Sequence, residues 1–207
     1  LDRKALRQLT EQLANKSFRA AKLPLIQDRS ASAKAKRFIP PWWQDAVTLR
    51  ECDCHVLTAC HSLESVVGFY TQNFAAADRA IRHLYAHFLQ EKAIIRPWQD
   101  YYESLNHELL QKWFEYAGAY QQDQQGTLVN LLKSAKPGIA VIVGDGVRYE
   151  IADQVATELE KHCKVDRKVM LAGMPSETEH NMSALYLDSD KILSMHKDRE
   201  QALTTAT

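Results

Sequence analysis

Glycine is scarce through the first two-thirds of this chain, and that scarcity limits the fold more than any other feature. Only seven of 207 residues are glycine; Gly68, Gly118 and Gly126 are the ones before residue 138, while Gly138, Gly144, Gly146 and Gly173 fall in the last 70 positions. Helix interiors avoid glycine because it gives up the most backbone entropy, whereas tight strand-to-helix turns need it. The distribution predicts a helical first part and an α/β last part.

Apolar spacing supports this division. Residues 3–21 read as one charged helix, and 24–36 as a polar connector. Pro40 and Pro41 open a helix running from Trp42 to about Thr58, because proline suits a first helical turn. Residues 62–91 form one long helix, interrupted if anywhere near Gly68. Its stripe is Tyr70, Phe74, Ala77, Ile81, Leu84 and Phe88, at steps of three and four. Pro97 opens the next helix, striped by Trp98, Tyr102, Leu105, Leu109 and Trp113, and a short helix spans Thr127 to Ser134. Antiparallel helices with aromatic faces make a bundle.

From Lys136 the period changes. Residues 139–143 are a continuous apolar run between Pro137-Gly138 and Gly144-Asp145-Gly146, the pattern of a buried parallel strand. A helix over 148–162 follows, then a second strand at 165–171, a turn at 173–176 and a helix over 178–187. A short edge strand fits Lys191 to Leu193. The fold class expected is α+β: a helical domain at 1–135, then a β-α-β-turn-α unit at 136–207 with a right-handed crossover. Two strands cannot form a covered sheet alone. Together with a start at Leu1 inside a helical pattern, this reads as a piece of a longer protein.

Apolar residues are 45% and charged residues 25%, which excludes a disordered, collagenous or disulfide-scaffold class. The longest apolar runs are about five residues, too short for a transmembrane helix or a signal peptide. Cys52, Cys54, Cys60 and Cys163 are therefore expected as free thiols in the cytoplasm. Net charge is zero, but residues 1–38 carry ten basic and three acidic side chains, so the rest carries −7. The basic end reads as a solvated helix face or as a contact for phosphate or an acidic partner.

Two constellations could carry chemistry. Asp145, between Gly144 and Gly146 and directly after the first predicted strand, would sit at the carboxyl edge of a sheet, where open α/β sheets bind ligands. It could equally cap the helix beginning near Val147. A receiver-type phosphoacceptor is a further reading; a haloacid-dehalogenase nucleophile would need an aspartate where Val147 stands. The glycine spacing is not a dinucleotide fingerprint. In the second constellation, Ser176 and Thr178 open a helix whose orphan N–H groups favour an anion. Thr178 could serve as a nucleophile there, or either hydroxyl could cap the helix, with Glu179 a favourable first-turn charge. On parallel neighbouring strands, Asp145 and Thr178 would emerge at one edge.

The segments Gly144-Asp-Gly-Val-Arg-Tyr-Glu150 and Met174-Pro-Ser-Glu-Thr-Glu-His-Asn-Met-Ser-Ala-Leu185 resemble the PglZ domain of the alkaline-phosphatase superfamily. Asp145, Arg148, Tyr149, Glu150, Pro175, Ser176, Thr178, Met182, Ala184 and Leu185 carry the match. More loosely, Val66-Val-Gly-Phe-Tyr70 and Ala77-Asp-Arg-Ala-Ile-Arg82 resemble the region before this domain in PglZ proteins of BREX phage-defence systems. The resemblance implies the start of an alkaline-phosphatase-like α/β sandwich and a metal-dependent phosphatase or phosphodiesterase. It implies a divalent metal, usually zinc, held by Asp145, with Thr178 as a metal-activated nucleophile in preference to Ser176, and with Arg148 and Glu150 bracing the turn or helix. The implied partners are other defence proteins and a nucleic-acid or nucleotide substrate. Further metal ligands in that superfamily come from later in the fold, and Asp188, Asp190, His196 and Asp198 align with none of them. The piece alone is expected to be inactive or nearly so. Exposed strand edges would favour a homodimer, and a non-enzymatic scaffold of a defence complex is the alternative.

Other metal-type spacings are weaker. Cys52 and Cys54, if helical, point about 200° apart and cannot share an ion. His83 and His87 have zincin spacing, but Leu84 stands where the catalytic glutamate belongs. Trp42, Trp43, Trp98 and Trp113 read as core or interdomain anchors rather than base-stacking platforms.

Overall fold

The structure, a computed structural model, describes residues 3–34, 42–134 and 138–207. The expected opening of a helix at Pro40-Pro41 and the boundary at Lys136-Pro137 lie outside the described residues. The chain divides into two compact units, residues 1–118 with 148–154, and 119–147 with 155–207.

The first unit is a helical bundle. It contains α1 (Arg3–Leu13), α2 (Lys16–Ala31), α3 (Trp42–Glu51), α4 (Leu63–Phe69), α5 (Ala75–Phe88) and α6 (Lys92–Tyr116). The single helix expected at 3–21 is two helices. The Asn15 side chain accepts from the Phe18 N–H at 3.0 Å and starts α2, which then continues through the expected connector and past Pro24 to Ala31. The helix from Trp42 stops at Glu51, and Cys54–Ala59 form a separate 3₁₀ turn.

α4 starts from a reciprocal cap: Ser62 Oγ accepts from the Ser65 N–H, and Ser65 Oγ accepts from the Ser62 N–H. Between α4 and α5 the backbone widens into a π-turn over Tyr70–Phe74, just past Gly68. The extra residue shifts the register, so Val66 and Phe69 before it and Phe74 and Ala77 after it are all buried. Pro97 lies inside α6 instead of opening it. An interior proline costs about 3 kcal/mol, but Ile94 and Ile95 are also buried, and about 1.5–3 kcal/mol from each offsets it.

Both predicted stripes face the core. Phe74, Ile81, Leu84 and Phe88 of the first are buried, as are Trp98, Leu105 and Leu109 of the second. Trp42 stacks on Trp43 and meets Phe88 edge-on, with ring centroids 4.8 and 5.2 Å away. The Arg50 guanidinium lies over Trp98 and Tyr101. The tryptophans here build core.

The second unit contains α7 (Thr127–Ser134), α9 (Thr178–Tyr186) and α10 (His196–Ala206). α8 (Tyr149–Leu159) is shared, its residues up to Gln154 counting with the first unit. Leu128, Tyr186 and Leu187 form a small core, ringed by Met182, Leu185, Leu193 and Leu203. Gly126 enters α7 in the left-handed region (φ 66°), and its N–H reaches the carbonyls of Ala184 and Leu187 at 2.8 and 3.0 Å. A Cβ there would strain the backbone and crowd Asp188.

The expected α/β unit is absent. No strand and no sheet occur among the described residues, so the βαβα start of an alkaline-phosphatase-like sandwich is corrected to helices joined by irregular segments. The run at 139–143 makes no backbone hydrogen bond among the described residues, and Ile142 is 94% exposed. A parallel strand must be paired and covered on both faces, and this one is neither. The backbone at Leu171 bonds instead to Asp123, accepting from its N–H at 3.1 Å and donating to its carboxylate at 2.6 Å. The expected edge strand is also replaced, since both backbone groups of Leu193 bond to the Ser183 hydroxyl.

Candidate functional site

Asp145 lies in a bend after the irregular 139–143 run. Gly146 next to it takes φ 65°, a turn that side-chain-bearing residues resist. Asp145 is exposed and has no hydrogen-bond or ion-pair partner among the described residues. α8 begins four residues later, at Tyr149, so the expected capping role falls away.

Arg148, Tyr149 and Glu150 count with the first unit. Glu150 is 1% exposed, with its Oε1 2.9 Å from Arg82 Nη2 of α5 and 4.0 Å from Arg148 Nη1. The Tyr149 ring meets the Tyr70 ring edge-on at 5.8 Å. Arg82 and Tyr70 both lie between residues 66 and 82, and sequence spacing alone did not reveal their contacts with Glu150 and Tyr149.

Thr178 is the first residue of α9 and is exposed. The cap residue is Glu177, and it makes no side-chain cap bond. Neither Ser176 nor Thr178 caps the helix, and the Thr178 hydroxyl has no hydrogen bond among the described residues. Glu179 does provide the first-turn acid.

The turn leading into α9 is held by Asn181, a residue the sequence reading passed over. Its Oδ1 accepts from the Gly173 N–H at 2.7 Å and from the Gln124 amide, and its Nδ2 donates to the Glu177 carbonyl at 3.1 Å. The Met174-Pro175 peptide within this turn is cis. Ser183 is 1% exposed and donates to the Glu179 carbonyl at 2.7 Å.

No hydrogen bond or ion pair joins Asp145 to Thr178 among the described residues. Nor do the described residues hold any group of three histidine, cysteine or acidic side chains able to grip an ion. A lone carboxylate such as Asp145 does not make a metal site by itself.

The weaker motifs have other partners. Cys52 and Cys54 lie beyond the end of α3, so the helical argument for keeping them apart does not apply. Both thiols are free and buried, Cys54 Sγ donates to the Leu105 carbonyl at 3.7 Å, and the neighbouring Cys52 together with burial pushes the Cys54 thiol above its usual range. His83 Nδ1 pairs with Asp45 at 3.0 Å. No described helix is long and apolar enough to cross a membrane. No family model, curated protein or solved structure matches the chain.

Proposed function

We propose that the chain belongs to a PglZ-type phosphoric-ester hydrolase of a phage-defence system, with Thr178 as nucleophile and Asp145 as one ligand of a divalent metal such as zinc. The observation that carries this reading is the state of Thr178: an exposed, unengaged hydroxyl on the first residue of a nine-residue helix. The free N–H groups of that turn favour negative charge beside it. In the reaction Thr178 Oγ1 would bond to phosphorus as the leaving oxygen departs and its own proton goes to solvent; water then cleaves the phosphothreonine. The described residues do not complete a metal site, so the reading assigns the remaining ligands to other parts of a longer protein.

The test is metal-dependent hydrolysis of bis-p-nitrophenyl phosphate by that longer protein. Thr178→Ala should lower the rate about 10³-fold or more. Acid-quenched wild-type protein should carry phosphate on Thr178 by mass spectrometry. An unchanged rate in Thr178→Ala removes the nucleophile assignment.

A second reading, a non-enzymatic interaction module, is favoured by one observation. Ile139, Val141 and Ile142 of the second unit are 50%, 38% and 94% exposed, a short apolar run left open to solvent. Protection against phage separates the two readings. The enzyme reading loses protection with Thr178→Ala and keeps it with Ile142→Lys, and the module reading predicts the reverse.

A further inference from the structure

We propose that the second unit carries a nucleotide-binding cleft distinct from the face of α9 that bears Thr178. The cleft, of about 420 Å³, is bounded by residues 120–125, the 173–175 turn, α9 and residues 189–192. That volume lies within the range of small-molecule sites. α9 contributes His180, Ser183 and Ala184, which share one face at steps of three and four. Thr178 is two residues before His180, roughly 200° around the helix, and does not line the cleft.

The lining selects a chemistry. Gln122, Gln124 and Gln125 bring three primary amides, each with donors and an acceptor. Gln124 is buried and bonded to Asn181, and the Gln125 Nε2 reaches Asp190 Oδ1 at 3.4 Å. Gln122 is exposed and has no hydrogen-bond partner among the described residues, so its amide is open to a ligand. An amide matches the paired donor and acceptor on the edge of a nucleobase, as when Gln or Asn grips adenine. Tyr120, held through its hydroxyl to the Ala172 carbonyl, offers an aromatic surface, and Met174 and Ile192 offer apolar walls that are 61% and 46% exposed.

One cation completes the set. Lys191 lines the cleft and has no ion pair among the described residues. A lysine ammonium is a point charge suited to a phosphate. The other basic group, His180, is engaged by Glu177 at 3.2 Å. Amides for an edge, apolar and aromatic walls for a ring face, and a single ammonium describe a nucleoside monophosphate better than a sugar phosphate or an apolar ligand. The inference rests on the lining of this cleft and not on the hydrolase reading.

The experiment is calorimetric titration of the Thr178→Ala chain in EDTA with adenosine 5′-monophosphate, adenosine and ribose 5-phosphate. Saturable single-site binding of the nucleotide is expected, with ribose 5-phosphate weaker by about tenfold. Lys191→Ala should weaken the nucleotide about fivefold and leave adenosine unchanged. Gln122→Ala should weaken nucleotide and adenosine alike. Both residues are exposed, so neither change threatens the fold. The proposal is overturned if the nucleotide fails to saturate up to about 10 mM, if ribose 5-phosphate binds as tightly, or if neither variant alters binding. Hydrolysis is silenced throughout, so this result and the phosphatase assay can fail independently.

Discussion

Glu150 shows why a charged residue in a sequence signature need not do chemistry. Both its carboxylate oxygens are shut away from water, and Arg82 is the near cation. The 2.9 Å approach is an ion pair without an aligned hydrogen bond, so the attraction has to offset the desolvation of Glu150 unaided. Arg82 is about one-third exposed, which softens its side of the cost. Removing it strands a buried carboxylate whose other cation, Arg148, is 4.0 Å away and mostly in solvent. Arg82→Ala should therefore cost about 2–3 kcal/mol of stability, read as a lower urea midpoint with an unchanged slope. Arg82→Met with Glu150→Leu should recover most of that loss. A single variant that unfolds like the wild type would show the pair to be worth nothing.

Among the elements, what could be read in advance depended on whether a signal was local. The stripes of α5 and α6 were legible because each repeats over several turns and buries against its neighbours. The break at Asn15 was available as a capping signature and went unused. The runs at 139–143 and 165–171 misled because continuous apolar residues mark a strand only where other strands pair with them, and pairing is not a local property. Thr178 at the head of a helix was legible, whereas Asn181 and the Arg82 pairing were not, since both depend on contacts distant in sequence.

The joint between three elements also yields a pH prediction. Asp78 of α5 accepts from the hydroxyls of Tyr70 in the π-turn, at 2.9 Å, and Tyr102 of α6, at 2.5 Å. Burial, reinforced by the Asp78 charge, raises both tyrosines above their usual value. Both stay neutral in the fold while tyrosines of the unfolded chain lose protons, so this contribution is complete below about pH 10 and is lost as pH rises beyond it. Chemical denaturation at pH 9 and above pH 11 should show that decline. Tyr70→Phe with Tyr102→Phe should be less stable at pH 9, because Asp78 loses its donors, yet decline less steeply. An identical slope would rule out these two tyrosines as the source.

For the whole molecule, the decisive contrast is between the two cores. The first unit buries stripes from several helices together with Trp42, Trp98 and Phe74. The second rests on Leu128, Tyr186 and Leu187 and leaves Ile139, Ile142, Val155 and Leu159 substantially exposed. Burial at roughly 25 cal/mol per Å² is the main favourable term in folding, so the two units should not share one stability. Hydrogen exchange in low urea should find amides at 77–88 and 98–109 opening only with global unfolding, and those at 178–206 opening at a much lower free energy. α8 provides an internal control, because it passes from one unit to the other after Gln154. Its first half is tied down by Glu150 and Tyr149, and its second half carries Val155 and Leu159 into solvent. Protection should therefore fall along this one helix, from Asp153 and Gln154 to Glu158 and Leu159. Uniform protection along α8, at the same free energy as α5, would mean that both units unfold as a single cooperative body. The exposed apolar residues would then have to be tolerated by the first unit's core, and the division of labour argued from burial would fail.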